Sequence, residues 1–226
     1  MAKHVCITGC TRGLGRALVD WFLENDWHVS GFGRNREAIA EIDEQGSVIG
    51  HFRSVDVRDT DAVETFFDSL LSDIGIPDLL VNNAGVINAN APLWEVPAEE
   101  FERVIDVNMT GLYRVLKYVA PAMIERGSGI MINLSSGWGR STSSNVAPYC
   151  ATKWGVEGLS QAMAQELPQG VAVAAMNPGI IDTDMLRTCL GEGAASFSDA
   201  KTWAQTAGPY LASLDTSVNG RQLTAP

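Results

Sequence analysis

A chain of 226 residues that is 46% apolar and 19% charged can bury a sizeable core and is too apolar to remain disordered. Sixteen Lys and Arg against 27 Asp and Glu leave a net charge of −11, a field that repels phosphate backbones and anionic lipid and so excludes broad nucleic-acid and membrane binding. The length, with no linker or repeat to divide it, predicts one domain over residues 1–226. The four cysteines, Cys6, Cys10, Cys150 and Cys189, show no paired or metal-ligand spacing, which predicts reduced thiols in a cytoplasmic protein and no metal site. Met1-Ala2-Lys3-His4 runs directly into an apolar segment and no apolar run is long enough to span a bilayer. Neither a signal peptide nor a transmembrane helix is expected.

In chain order, apolar runs at His4–Thr8, His28–Phe32, Val48–Phe52, Leu79–Asn82, Ile130–Leu134, Val171–Met176 and Gln222–Leu223 read as buried strands. Segments of helical period at Arg16–Asn25, Glu37–Glu44, Asp61–Ser72, Phe101–Glu125 and Tyr149–Glu166 lie between most of them. Continuously apolar strands alternating with helices predict a doubly wound α/β fold, with a parallel sheet of about seven strands covered on both faces. The Phe101–Glu125 segment is apolar around more than one stripe, through Val104, Ile105, Val107, Met109, Leu112, Val115, Leu116 and Val119. Such a helix is expected to pack on the sheet and also on a second body such as another subunit.

After the first strand comes Thr8-Gly9-Cys10-Thr11-Arg12-Gly13-Leu14-Gly15, opening a helix near Arg16. Gly9, Gly13 and Gly15 permit a tight turn there and let backbone N–H groups approach a pyrophosphate. A P-loop is excluded, since no lysine follows a glycine. At the end of the second strand, where an acid would hold the ribose 2′-hydroxyl of NAD, the chain reads Gly33-Arg34-Asn35-Arg36. Arg34, with Arg12 in the glycine turn, suits a 2′-phosphate instead, so NADP(H) is expected over NAD(H).

Further on, Ile132-Asn133-Leu134-Ser135-Ser136-Gly137 is a strand entering a turn, and Tyr149-Cys150-Ala151-Thr152-Lys153 opens a helix. Residues four apart share a helix face, so Lys153 stands beside Tyr149 and its ammonium favours phenolate. Tyr149 is thereby a candidate for proton exchange with a carbonyl or alcohol oxygen. The pair Tyr113 and Lys117 has the same spacing but lies mid-helix, away from a strand's C-terminal end, where open α/β sheets hold ligands.

Taken together, Thr8-Gly9-x-x-x-Gly13-x-Gly15, Asn82-Asn83-Ala84-Gly85, Asn108, Ser136, Tyr149-x-x-x-Lys153 and Pro178-Gly179-x-x-x-Thr183 resemble, in order and over nearly the whole chain, the short-chain dehydrogenases/reductases. The resemblance implies a single Rossmann-type domain and a tetrad. In it Tyr149 is the acid–base residue, Ser136 rather than Ser135 holds the substrate oxygen, Lys153 lowers the Tyr149 pKa and binds nicotinamide ribose, and Asn108 supports a water-linked proton relay. It implies cofactor contacts from Thr11, Leu14, Asp56 at the adenine, Val57, Asn82, Asn83, Ala84, Gly85, Pro178, Gly179, Ile181 and Thr183. Trp94, Trp138, Asn145, Met185 and Leu186, with Ser136 and Tyr149, are the expected substrate neighbours, and the segment Asp184–Asp199 that covers substrate is short. The activity implied is NADPH-dependent interconversion of a carbonyl compound and its alcohol, in a homodimer or homotetramer built through helices 101–125 and 149–166. The alternative is a non-catalytic NADP(H)-binding sensor or scaffold. A serine hydrolase is excluded by the absence of GxSxG, with His4, His28 and His51 all near early strands.

Overall fold

The computed structural model describes residues 3–44 and 50–226. Its strands are β1 His4–Thr8, β2 His28–Gly33, β3 Gly50–Ser54, β4 Leu79–Asn82, β5 Gly129–Leu134, β6 Val171–Asn177 and β7 Gln222–Thr224. The helices are α1 Gly13–Glu24, α2 Arg36–Glu44, α3 Thr60–Asp73, α4 Ala98–Ile105, α5 Gly111–Arg126, α6 Ala147–Ala164, α7 Asp184–Leu190 and α8 Ala200–Ala212. The strand expected at Val48–Phe52 begins at Gly50, and Val48 and Ile49 lie outside the described residues. All seven strands run parallel in the order β3-β2-β1-β4-β5-β6-β7. The order reverses between β1 and β4, and the crevice above that reversal is where such sheets bind ligands.

Alternation along the strands feeds two cores. Val5 and Ile7 of β1 point to the face covered by α1, α2 and α8, through Leu18, Phe22, Ile42, Trp203 and Leu211. Cys6 points to the other face, where Phe66, Phe67 and Leu70 of α3 meet Val115 and Met123 of α5 and Val156 of α6. Strands buried on both faces have no polar side to show, which is why their sequences read as continuous apolar runs.

Three elements differ from the sequence expectation. The helix read at Phe101–Glu125 is α4 and α5 joined by a π turn at Asp106–Thr110. Asn108 in that turn reaches Val86, donating from Nδ2 to its carbonyl at 2.8 Å and accepting its N–H at 2.8 Å. Gly111 closes the turn where a Cβ would lie 2.8 Å from Val57. Beyond Thr183, α7 and α8 were not anticipated: Thr183 Oγ1 caps α7 by accepting from Leu186 N at 3.2 Å, and Asp199 caps α8 by accepting from Thr202 N at 2.7 Å. Among the described residues no helix is long and apolar enough to cross a membrane.

Candidate active site

The glycine turn leaves β1 with Gly9 at φ +68° and Gly13 at φ +55°, conformations that favour glycine. A side chain on Gly9 would meet the Ala84 backbone at 2.9 Å, and one on Gly15 would strike Gly9 O and Asn83 Nδ2. Asn83 locks the turn, donating from Nδ2 to Thr8 O at 2.9 Å and Gly9 O at 3.0 Å. The first turn of α1 has no side-chain cap and no acid, so its free N–H groups and dipole face the cavity and suit an anion.

That cavity has a volume of about 420 Å³ and runs along the C-terminal ends of β1, β2, β4 and β5. Of the expected cofactor residues, Gly9, Thr11, Arg12, Gly13, Leu14, Arg34, Asp56, Val57, Asn83, Ala84, Gly85, Tyr149, Lys153, Pro178 and Thr183 line it. Gly15, Gly179, Ile181 and Asn82 do not. Gly15 serves close packing beneath the turn, and Ile181 is buried in the α1-side core. Gly179 shapes the loop after β6 at φ +90°, its N–H donating to Asn177 Oδ1 at 3.1 Å. Asn82 points inward because it pairs in register with Asn133 of β5, to which its Nδ2 donates at 2.8 Å.

One end of the cavity carries the cations. Arg34 follows β2 with its charge bearing on Asp56 across the cavity end, while Asn35 turns back to cap α2 by accepting from Glu37 N at 3.0 Å. Asp56 is engaged by Arg58, whose Nη2 donates to Oδ2 at 2.7 Å, and that guanidinium holds the carboxyl below its usual range. Arg12 donates to Asp184 Oδ2 at 3.2 Å across the opening, an exposed pair worth little in stability. Sequence reasoning missed Arg58, although Asp-x-Arg after a strand was a readable signal, and it missed Asp184 because that partner is distant in sequence.

The other end carries the tetrad candidates. Tyr149 opens α6 just after Pro148 and is buried. Burial pushes its phenol up to about 12, while the Ser136 hydroxyl favours the phenolate and pulls it down. Lys153 lies on the same helix face, its Nζ 5.4 Å from the Tyr149 ring centroid and donating to Leu134 O at 2.6 Å. Burial pushes Lys153 down to about 8. The Lys153 ammonium is directed at the Tyr149 ring and the Leu134 carbonyl, and it is the Ser136 hydroxyl, not Lys153, that opposes the burial raising the phenol. Ser136 is half-buried and caps a 3₁₀ turn at Gly137–Gly139, its Oγ accepting from Trp138 N at 3.1 Å. Of the two serines it is Ser135, not Ser136, that lines the cavity, although the Ser135 hydroxyl packs toward Gly139 and the Ser136 hydroxyl is the one that bears on the Tyr149 phenol. Asn108 donates to Thr152 Oγ1 at 3.0 Å and shares with Lys153 the lining of an internal space beneath the cavity. The matching pair Tyr113 and Lys117 stays apart from this site, with Tyr113 55% exposed on α5.

Around Tyr149, Ile87, Val146 and Cys150 form a small apolar cluster, with Trp138, Met185 and Cys189 packed on it. Trp138 stands edge-on to Tyr149 at 6.1 Å between ring centroids. Of the expected substrate neighbours, Met185 lines the cavity and Trp138 adjoins Tyr149, whereas Asn145, next to Val146, and Trp94 are exposed and do not line the cavity. Asn145, at φ +66°, uses its backbone carbonyl to accept from Asn88 Nδ2 at 3.0 Å and from Ala91 N at 3.1 Å. Leu186 is half-buried in the first turn of α7. The sequence signal missed Ile87 and Val146, which are ordinary apolar residues until the fold brings them to the phenol.

Comparison with known proteins places this arrangement in context. The chain is 42% identical over 225 residues to an NADPH-dependent pterin aldehyde reductase of Arabidopsis thaliana, covering 99% of this chain and 93% of that one. It is 35% identical over 190 residues to a 3-oxoacyl-(acyl-carrier-protein) reductase of Staphylococcus aureus, covering 82% and 77% respectively. The solved structure of ElxO with NADP bound superposes with a TM-score of 0.87 at 28% identity, over 99% of this chain and 97% of that one. The family profile described as short chain dehydrogenase matches residues 3–191. By both its sequence and its fold, the chain belongs to the short chain dehydrogenase family.

Proposed function

We propose that the chain is an NADP(H)-dependent oxidoreductase that interconverts a carbonyl compound and its alcohol, acting chiefly as an aldehyde or ketone reductase. The carrying observation is one cavity that has two cations, Arg12 and Arg34, at one end and the buried Tyr149 phenol with Lys153 at the other. The fit to the cofactor rests on the uncapped, acid-free start of α1 and the close approach that Gly9 permits. When bound, NADPH supplies the hydride to the carbonyl carbon. With the phenol pushed up to about 12 and the ammonium down to about 8, Tyr149 is protonated and Lys153 largely charged at neutral pH. This is the protonation state that reduction needs: Tyr149 donates its proton to the developing alkoxide, Ser136 holds the oxygen, and Lys153 stabilises the phenolate left behind.

The apolar cluster at Tyr149 suits a flat, uncharged carbonyl body between Trp138 and Met185, and the Arabidopsis relative makes pterin aldehyde the first compound to try. Segment 184–199, carrying α7, is the substrate-side cover of a single domain. A cytoplasmic setting accords with four free cysteines. Association through α5 and α6 accords with Tyr113, Ile124 and Trp154 standing exposed on them. The decisive experiment follows NADPH absorbance with pterin aldehyde and a panel of aldehydes and ketones. Consumption dependent on Tyr149 is expected. Tight NADPH binding with no consumption across the panel would instead favour the non-catalytic sensor.

A further inference from the structure

Glu157 takes no part in the site described above, yet it is 2% exposed and lies at the centre of a polar knot. Its two oxygens are used separately, Oε1 accepting from Arg140 Nε at 2.9 Å and Oε2 from Gln222 Nε2 at 2.9 Å. Arg140 donates onward to Leu223 O at 2.7 Å and Thr224 Oγ1 at 3.1 Å. Arg140 closes the 3₁₀ turn that begins at Ser136, Glu157 belongs to α6 with Tyr149 and Lys153, and Gln222 opens β7. One buried carboxylate thus fastens the serine turn, the tyrosine helix and the last strand together.

A purely mechanical fastening does not need charge, because neutral or apolar side chains of similar volume often replace a buried ion pair without loss of stability. The placement of Glu157 suggests why a charge is kept. It follows Lys153 by four residues on α6, so the two buried side chains share a helix face. Lys153 directs its ammonium at the Leu134 carbonyl. The other elements around it contribute neutral groups: Asn133 of β5, Asn82 of β4, Asn108 of the π turn and Gly85 of the loop after β4. Tyr149 on α6 contributes a ring face. Glu157 is the charged group that bears on Lys153, and it favours the ammonium against the burial that opposes it.

The geometry points to Glu157 as a positioning residue: through Lys153 it keeps a positive charge beneath Tyr149, and through Arg140 it fixes the turn that carries Ser136. The inference rests on the reductase reading for its consequence in catalysis, but its physical core concerns the free protein. The chain has four lysines, Lys3, Lys117, Lys153 and Lys201, so ε-¹³C-lysine NMR of the full chain gives a sparse spectrum in which Lys153→Met assigns the signal of interest. Glu157→Gln keeps the shape and removes the charge, and is expected to lower the Lys153 titration midpoint by about one pH unit. Glu157→Asp should restore most of it. The alkaline limb of the kcat profile should move to lower pH by a similar amount. If Glu157→Gln does not fold, the double variant Arg140→Gln with Glu157→Gln leaves no unpaired charge and should show the same downward shift. An unchanged Lys153 midpoint in whichever variant folds overturns the proposal, even if thermal stability falls. Absence of turnover in the unaltered protein counts against the reductase reading alone, since the NMR titration needs neither cofactor nor substrate.

Discussion

Tyr149 and Tyr113 each precede a lysine by four residues, and the surroundings of the phenol separate them. Tyr149 is buried against Trp138, Ile87 and Val146 at the wall of the cavity, whereas Tyr113 faces solvent. Tyr149→Phe keeps that packing and removes only the proton donor, so kcat should fall about 10²- to 10⁴-fold, the usual span for a general acid. NADPH affinity, measured by fluorescence titration, should stay within a factor of a few. Comparable turnover in this variant would sink the assignment of Tyr149. Arg34 lines the other end of the cavity without an acid at the end of its strand. Arg34→Asp should weaken NADPH binding by about 10- to 100-fold, as expected for a lost charged hydrogen bond, while NADH binding changes little. Equal loss for both cofactors would place the 2′-phosphate elsewhere.

Among the elements, the π turn between α4 and α5 shows how a local irregularity serves a site. It turns the Asn108 carboxamide toward the Val86 backbone and Thr152 of α6, joining three elements beneath Lys153. Asn108→Leu abandons these partners in a buried place and should cost about 2–4 kcal/mol in urea denaturation, by the known penalty for unsatisfied buried groups. It should also lower kcat. Unaltered stability would mean that the turn is held by packing alone, for instance by Gly111 against Val57. Sequence periodicity cannot register one extra residue in a helix, because the apolar stripes on either side still look continuous. The miss at α8 has another cause. Trp203, Ala204, Ala207 and Leu211 are buried at helical spacing, but Gly208-Pro209 within the same segment reads as a break. Gly208 is there because a Cβ would strike the Trp21 ring of α1, and the fold needs that close approach.

The whole molecule also carries a pH signature. His4 is buried on β1, its Nε2 2.8 Å from Ser30 Oγ, and burial lowers its pKa from 6.5 to about 4. The folded state therefore refuses a proton that the unfolded chain accepts. Stability is whole above pH 6.5 and falls as pH drops toward 4, by about 3 kcal/mol at the lower end. A denaturation series over that window should show the fall, and His4→Asn should flatten it. A parallel decline in the variant would assign the acid sensitivity to other groups. In size-exclusion chromatography with light scattering, association through α5 and α6 should give a mass of at least twice 24.3 kDa, and a monomer at micromolar concentration would overturn it.

The order of the strands, the glycine turn, the two arginines and the tyrosine–lysine pair were legible in the sequence because each rests on local spacing: period in an element, a turn beside a helix start, side chains one helical turn apart. The parallel sheet followed from apolar runs that leave no polar face. What only the tertiary structure decided was which distant groups meet. Arg12 faces Asp184, Arg58 engages Asp56, Asn82 turns to Asn133 instead of the cavity, and Glu157 gathers Arg140 and Gln222. The same holds for the balance of charge at the site. Spacing brings an ammonium near Tyr149 and predicts a lowered phenol, but in the fold burial pushes Tyr149 up and Lys153 down, opposed by Ser136 and Glu157 respectively. Desolvation depends on everything packed around a group, and no local pattern contains it.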